Sequence, residues 1–184
     1  MHPIWLVAAA VILIFVWAAW TFNRLVNQRN MLREAWSGID VQLKRRHDLV
    51  PVLVACVEGY RGHERNLFER IAAARAQAAG AKDAREASVT GSELTNGLRQ
   101  LIAVAEAYPQ LKASESFLGL SRQLVAIEEQ LQFARRYYNG TAKILNNLVG
   151  TFPSLLIARL FGFQSVSFFE VESAVERAVP EVKL

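Results

Sequence analysis

The sequence predicts an all-α protein: an N-terminal transmembrane helix that continues into an antiparallel up-and-down bundle of long helices. Three observations carry this. Ile4 to Phe22 is a run of 19 residues in which only Thr21 falls outside the apolar set and none is charged. Beyond Phe22 the apolar residues recur at three- and four-residue steps, the spacing of one helix face. No stretch alternates with period two for long enough to build a sheet. The chain has 184 residues, is 52% hydrophobic and carries a net charge of +4. Without the apolar run and Met1 it is roughly 47% apolar, an ordinary globular value. All 21 basic and 17 acidic residues follow Phe22, so the composition describes a membrane segment and a water-soluble domain. With Cys56 as the one cysteine, an intramolecular disulfide and a zinc site using two thiolates are excluded. Multi-domain enzymes, disulfide scaffolds and intrinsic disorder are excluded with them.

The first element is the span. Nineteen residues at about 1.5 Å each reach about 28 Å, close to the ~30 Å hydrocarbon core of a bilayer. Trp5, Trp17 and Trp20 stand near its ends, where indole rings prefer the headgroups. A cleaved signal peptide would need a basic start and a small-residue cleavage site; Met1-His2-Pro3 and Ala18-Ala19-Trp20 supply neither. Arg24, Arg29 and Arg33 follow the span against Glu34 alone nearby, so the positive-inside rule places the domain in the cytoplasm and the N-terminus outside. The expected organisation is a short external N-terminus (1–3), a transmembrane helix (4–22), a cytoplasmic bundle (23–152) and a C-terminal apolar cap and tail (153–184).

Leu25, Leu32, Trp36, Ile39 and Leu43 continue the helix out of the membrane. His47-Asp48-Leu49-Val50-Pro51 reads as a break, with Asp48 capping a second helix that tolerates Pro51 in its first turn. Along that helix Val50, Leu53, Val57, Tyr60, Glu64, Leu67, Ile71, Ala74 and Ala78 keep strict three-four spacing, and Glu64 is the charged intruder. The stretch 80–91 reads as an exposed loop, and Thr90 with Glu93 has capping-box spacing before a third helix of Leu94, Leu98, Leu101, Ala105 and Tyr108. Pro109 ends it. A fourth helix starting after Lys112 carries an apolar seam from Phe117 through Leu124, Leu131 and Tyr138 to Phe152, with Thr141 its one weak member. Long helices with short connections make antiparallel neighbours.

The motifs that could carry chemistry are thin. His63-Glu64 lacks the second histidine of a zincin, since Leu67 stands four residues on, and His2, His47 and His63 share no ligand spacing. Cys56 lies two helical turns from His63 and reads as a small hydrophobe rather than a nucleophile. Gly59 and Gly62 fall inside a helix pattern, not a phosphate loop. Lys44-Arg45-Arg46 reads as the cationic close of the first helix. Arg135-Arg136-Tyr137-Tyr138 interleaves charge with rings, but Tyr138 is on the seam and the arginines flank it, which fits a bundle edge better than nucleic acid. A seam carboxylate needs a partner or water. Glu64, Arg135 and Tyr138 are therefore the candidate polar seam, with Arg135 or Tyr138 the expected partner of Glu64. Phe161, Phe163, Phe168 and Phe169 either cap one end of the bundle or form a docking patch; capping is the favoured reading, since monomers seldom leave so many rings in water.

These residues resemble the LemA family of membrane-anchored bacterial proteins. The resemblance runs through Arg33–Pro51, Gly59-Tyr60 with His63-Glu64, Leu101–Lys112, Arg135–Asn139, Phe152-Pro153 and Phe161-Gly162-Phe163. Val52 departs from the usual Asn, Leu145 stands before Asn146 where Tyr is usual, and Gln123 replaces a usual Glu, departures that touch a polar network rather than the fold. The resemblance implies a single span, an outside N-terminus, a cytoplasmic helical bundle and no established catalytic activity. It also links relatives to membrane organisation, including magnetosome formation, and to a membrane-bound zinc protease. The expectation is a non-enzymatic, membrane-tethered scaffold or adaptor at the cytoplasmic face of a bacterial inner membrane. The alternative is a regulator or partner of a membrane-bound zinc metalloprotease. Expected partners are the bilayer, through residues 4–22, and either another membrane protein or a second copy. No cofactor, metal, nucleic acid or small-molecule substrate is expected.

Overall fold

The computed structural model describes residues 3–59, 65–81 and 83–169, and every regular element among them is an α-helix. These are α1 (Pro3–Glu58), α2 (Arg65–Ala79), α3 (Ala84–Glu106), α4 (Pro109–Lys112), α5 (Glu115–Gly150) and α6 (Ser154–Leu160). Contacts group them into two compact units, one of residues 1–37 with 136–166 and one of residues 38–135 with 167–184.

In the first unit, the start of α1 runs antiparallel to the end of α5. Trp36 meets Tyr138 (ring centroids 5.9 Å apart), while Trp20, Thr21 and Arg24 face Asn147, Leu148 and Thr151 across a cleft. Thr21, Leu25, Leu32 and Ala35 of α1 are buried, as are Tyr138, Thr141, Ala142, Leu145 and Leu148 of α5. Thr141, the weak seam position, is accommodated because its hydroxyl donates to Tyr137 O at 2.9 Å. Helix α6 ends in a Schellman motif: Phe163 N donates to Ala158 O (2.9 Å) and Gly162 N to Arg159 O (3.3 Å). Gly162 takes the required left-handed turn, with φ +68°. Asn146 then holds the returning chain like a paired peptide group, its Nδ2 donating to Val166 O (2.9 Å) and its Oδ1 accepting from Val166 N (2.8 Å).

The second unit is a four-helix bundle of the latter part of α1, α2, α3 and the first part of α5, with α4 as a single turn between α3 and α5. Leu49, Val50, Leu53 and Val57 pack with Leu67 and Ile71 of α2, Leu94, Leu98 and Leu101 of α3, Leu111 of α4, and Phe117 and Leu124 of α5. The α2–α3 hairpin closes tightly at Gly97, where a Cβ would stand 3.0 Å from Ile71 Cγ1.

Several boundaries differ from the sequence reading. Helix α1 runs through His47–Pro51 without a break and ends only at Glu58. A proline in a helix interior removes one N–H and orphans the carbonyl four residues earlier. Here that carbonyl, His47 O, accepts instead from Arg75 Nε of α2 at 2.8 Å, so the helix survives. The seam assigned to one helix from Val50 to Ala78 is thus shared by α1 and α2, and Gly59, read as lying inside a helix, follows the end of α1, while Gly62 lies outside the described residues. Tyr60, His63 and Glu64 lie outside the described residues. The stretch 80–91 is mostly helix: Asp83 caps α3, its Oδ1 accepting from Arg85 N (2.9 Å) and Glu86 N (2.8 Å), so Thr90 and Glu93 are interior positions. Lys44-Arg45-Arg46 closes no helix.

Candidate functional site

The polar centre of the second unit is Arg46, whose side chain is only 1% exposed. Its Nε lies 2.7 Å from Glu128 Oε1 of α5, its Nη2 donates to Thr95 Oγ1 of α3 at 2.6 Å, and its Nη1 reaches Gly91 O at 3.4 Å. Thr95 passes the pattern on by donating its hydroxyl proton to Gly91 O at 2.9 Å. A buried guanidinium is tolerated only when ion-paired and hydrogen-bonded, and this one is both. Arg46 ties α1, α3 and α5 together at one level. The sequence reading missed it, although the signal was present: Ile39, Leu43, Arg46, Val50, Leu53 and Val57 keep one three-four register, with Arg46 inside it.

Arg135 approaches the same level from α5. Its Nη2 would be 3.4 Å from a Cβ at Gly91, and its guanidinium carbon stands 5.3 Å from the ring centre of the buried Phe169. Of the three residues expected to form a polar seam, Arg135 therefore belongs to the surroundings of Arg46. Tyr138 is buried in the first unit with its ring edge-on to Trp36. Glu64 lies outside the described residues, so its expected pairing falls outside them too.

His47 neighbours Arg46 in sequence and is half-buried, and its Nε2 is buried without a hydrogen-bond partner among the described residues. Burial, then Arg75 and Arg46, push its pKa below the ordinary histidine value, against a weaker opposite pull from Asp48 and Asp40. Beside it, Arg45, Asp48, Leu49 and Val52 face Leu120, Gln123, Ala126 and Ile127 across an open, largely apolar cleft of about 570 Å³. Cys56 is half-buried with a free thiol. Among the described residues no group of three His, Cys, Asp or Glu side chains could hold a metal ion.

The four phenylalanines are divided between the units. Phe161 and Phe163 pack on Phe22, with ring centroids 4.7 and 6.0 Å away, and Arg29 stands 5.0 Å over Phe163. Phe163 and Phe169 are buried, whereas Phe161 and Phe168 are exposed.

At the other extreme of the chain, Ile4, Trp5, Leu6 and Val7, and then Val11 to Val16, are all exposed. Helix α1 is the one element among the described residues that is long and apolar enough to cross a membrane. Fold and site together define a class: an all-helical protein whose first described helix changes from uncovered and apolar to amphipathic and bundled. The chain belongs to the LemA family, whose sequence profile matches residues 35–184. It is 25% identical to "Protein LemA" of Metamycoplasma hominis over 156 residues, 84% of this chain and 71% of that one. It is also similar to "Magnetosome protein MamQ" of Magnetospirillum gryphiswaldense, 27% identical over 79 residues. That match covers 43% of this chain and 29% of the magnetosome protein. "Magnetosome protein MamQ 2" of Paramagnetospirillum magneticum is 28% identical over the same shares.

Proposed function

We propose that this protein is a membrane-tethered helical scaffold or adaptor, non-enzymatic, working at the cytoplasmic face of a bacterial inner membrane. Residues 4–22 are its anchor, 23–152 its bundle, and 153–184 its C-terminal apolar cap and tail. The observation that carries this reading is the exposed apolar length of α1 from Ile4 to Val16, which has no cover among the described residues and needs a hydrocarbon environment. Arg24, Arg29 and Arg33 immediately after it favour the cytoplasmic side for the bundle. The chain is also similar over part of its length to proteins named for the magnetosome. A tether confines partners to the membrane surface and raises their effective concentration there. Covalent crosslinking in membranes, then capture of the tagged full chain in detergent, tests the role. Self-association or several membrane partners supports scaffolding; a single membrane-bound zinc protease would assign the regulator role instead.

A further inference from the structure

We infer that α6 and the turn before it form a second membrane contact, a short interfacial foot that inserts into the headgroup region of an anionic bilayer beside the anchor. This rests on the anchor reading above. Phe152, Leu156, Leu160 and Phe161 are 79, 56, 75 and 55% exposed, a concentration of apolar side chains that water does not favour. Their occupant is fixed by where they sit. Phe161 packs on Phe22, the last residue of the apolar run, and Phe152 shares a cleft of about 470 Å³ with Trp17 and Trp20. Patch and span therefore end at one level, and that level is where a bilayer's headgroups would lie. Helix α6 is amphipathic in the required sense: Ile157 and Ala158 are buried in the unit, and Leu156 and Leu160 point out of it.

Charge points to the same occupant. In residues 1–37 and 136–166 the basic residues are Arg24, Arg29, Arg33, Arg136, Lys143 and Arg159, and Glu34 is the only acid. Arg24 stands over the Trp20 ring, Arg29 over the Phe163 ring and Arg159 in α6 itself, and cations so close to an interfacial apolar patch add attraction to anionic lipid. The foot is also built to hold its shape, through the Schellman turn at Gly162 and the Asn146 bonds to Val166. With two attachment points the first unit cannot rotate freely about the anchor.

The test uses the full chain with Cys56→Ser, reconstituted in nanodiscs of phosphatidylcholine and phosphatidylglycerol. Single cysteines at Leu160, Leu156, Val11 or Val125 carry an environment-sensitive fluorophore, and nitroxides are placed at shallow or deep positions on the lipid chains. Probes at Leu160 and Leu156 should be blue-shifted and quenched most by the shallow nitroxide, at a depth of about 5–10 Å. Val11 should be quenched most by the deep one, and Val125, exposed on α5, by neither. If Val11 is quenched while Leu160 and Leu156 behave like Val125, the foot is overturned and the anchor stands. Blue-shifted α6 probes that no lipid nitroxide quenches would mean that protein covers the patch, which also overturns it. An unquenched Val11 would overturn the anchor reading, and the foot with it.

Discussion

The guanidinium of Arg75 donates to the backbone carbonyl of His47 at 2.8 Å, occupying the place of the N–H that Pro51 cannot supply. A helix that should kink at its proline is thereby stitched to its neighbour. This gives a coupled prediction. Arg75→Met should destabilise the protein by about 1–3 kcal/mol, the usual cost of a buried acceptor left unsatisfied. In a Pro51→Ala background the helix regains its own donor, and the same substitution should cost clearly less. Denaturant melts of the four proteins in micelles measure the difference; equal costs in both backgrounds would dissociate Arg75 from Pro51.

Arg46 and Glu128 should respond asymmetrically. Glu128→Gln leaves a guanidinium that is 1% exposed without its counter-charge, at a cost of about 3 kcal/mol. Arg46→Met removes the buried charge and leaves Glu128, which is 30% exposed, able to hydrate. It should therefore be the milder change. The order of the two midpoints checks this.

Leu131 and Leu124 are 0 and 4% exposed, and Leu67 is 8%. Truncating any of them to Ala should cost about 2–5 kcal/mol, with the largest loss where the neighbours collapse least. An unshifted melt for Leu131→Ala would place the α5 seam elsewhere.

His47 makes stability depend on pH. Its folded pKa lies below the ordinary value, so between the two the unfolded chain binds more protons and stability rises with pH. The native state therefore carries no penalty from His47 above about pH 6.5, and a growing one as pH falls below it. His47→Asn should flatten that part of the profile. Urea midpoints of the two proteins through this range provide the comparison; parallel slopes would show that His47 does not titrate on unfolding.

The helical class, the exposed apolar start of α1 and the seams of α3 and α5 were legible because burial against one face imposes three-four spacing that survives without any tertiary knowledge. The helix boundaries were less so. Pro51 reads as a stop because the donor that rescues His47 O comes from Arg75, 28 residues later on another helix. Residues 84–91 read as loop because small side chains carry little hydrophobic signal, yet Ala84, Ala87, Ser88 and Gly91 are buried where α3 needs close approach. Arg46 was hidden for a related reason: beside Lys44 and Arg45 it looks like one of a solvated trio, and only the register through Ile39 and Val50 marks it as internal.

The most direct test of a membrane-tethered bundle on the cytoplasmic side is the accessibility of Cys56, the one thiol in the chain. It is half-buried, so membranes are probed after mild denaturation with a reagent that cannot cross them. Intact cells should leave Cys56 unlabelled and inverted vesicles should label it, on a chain that still carries residues 4–22. Labelling in intact cells, or a mature chain beginning near Trp20, would contradict the account.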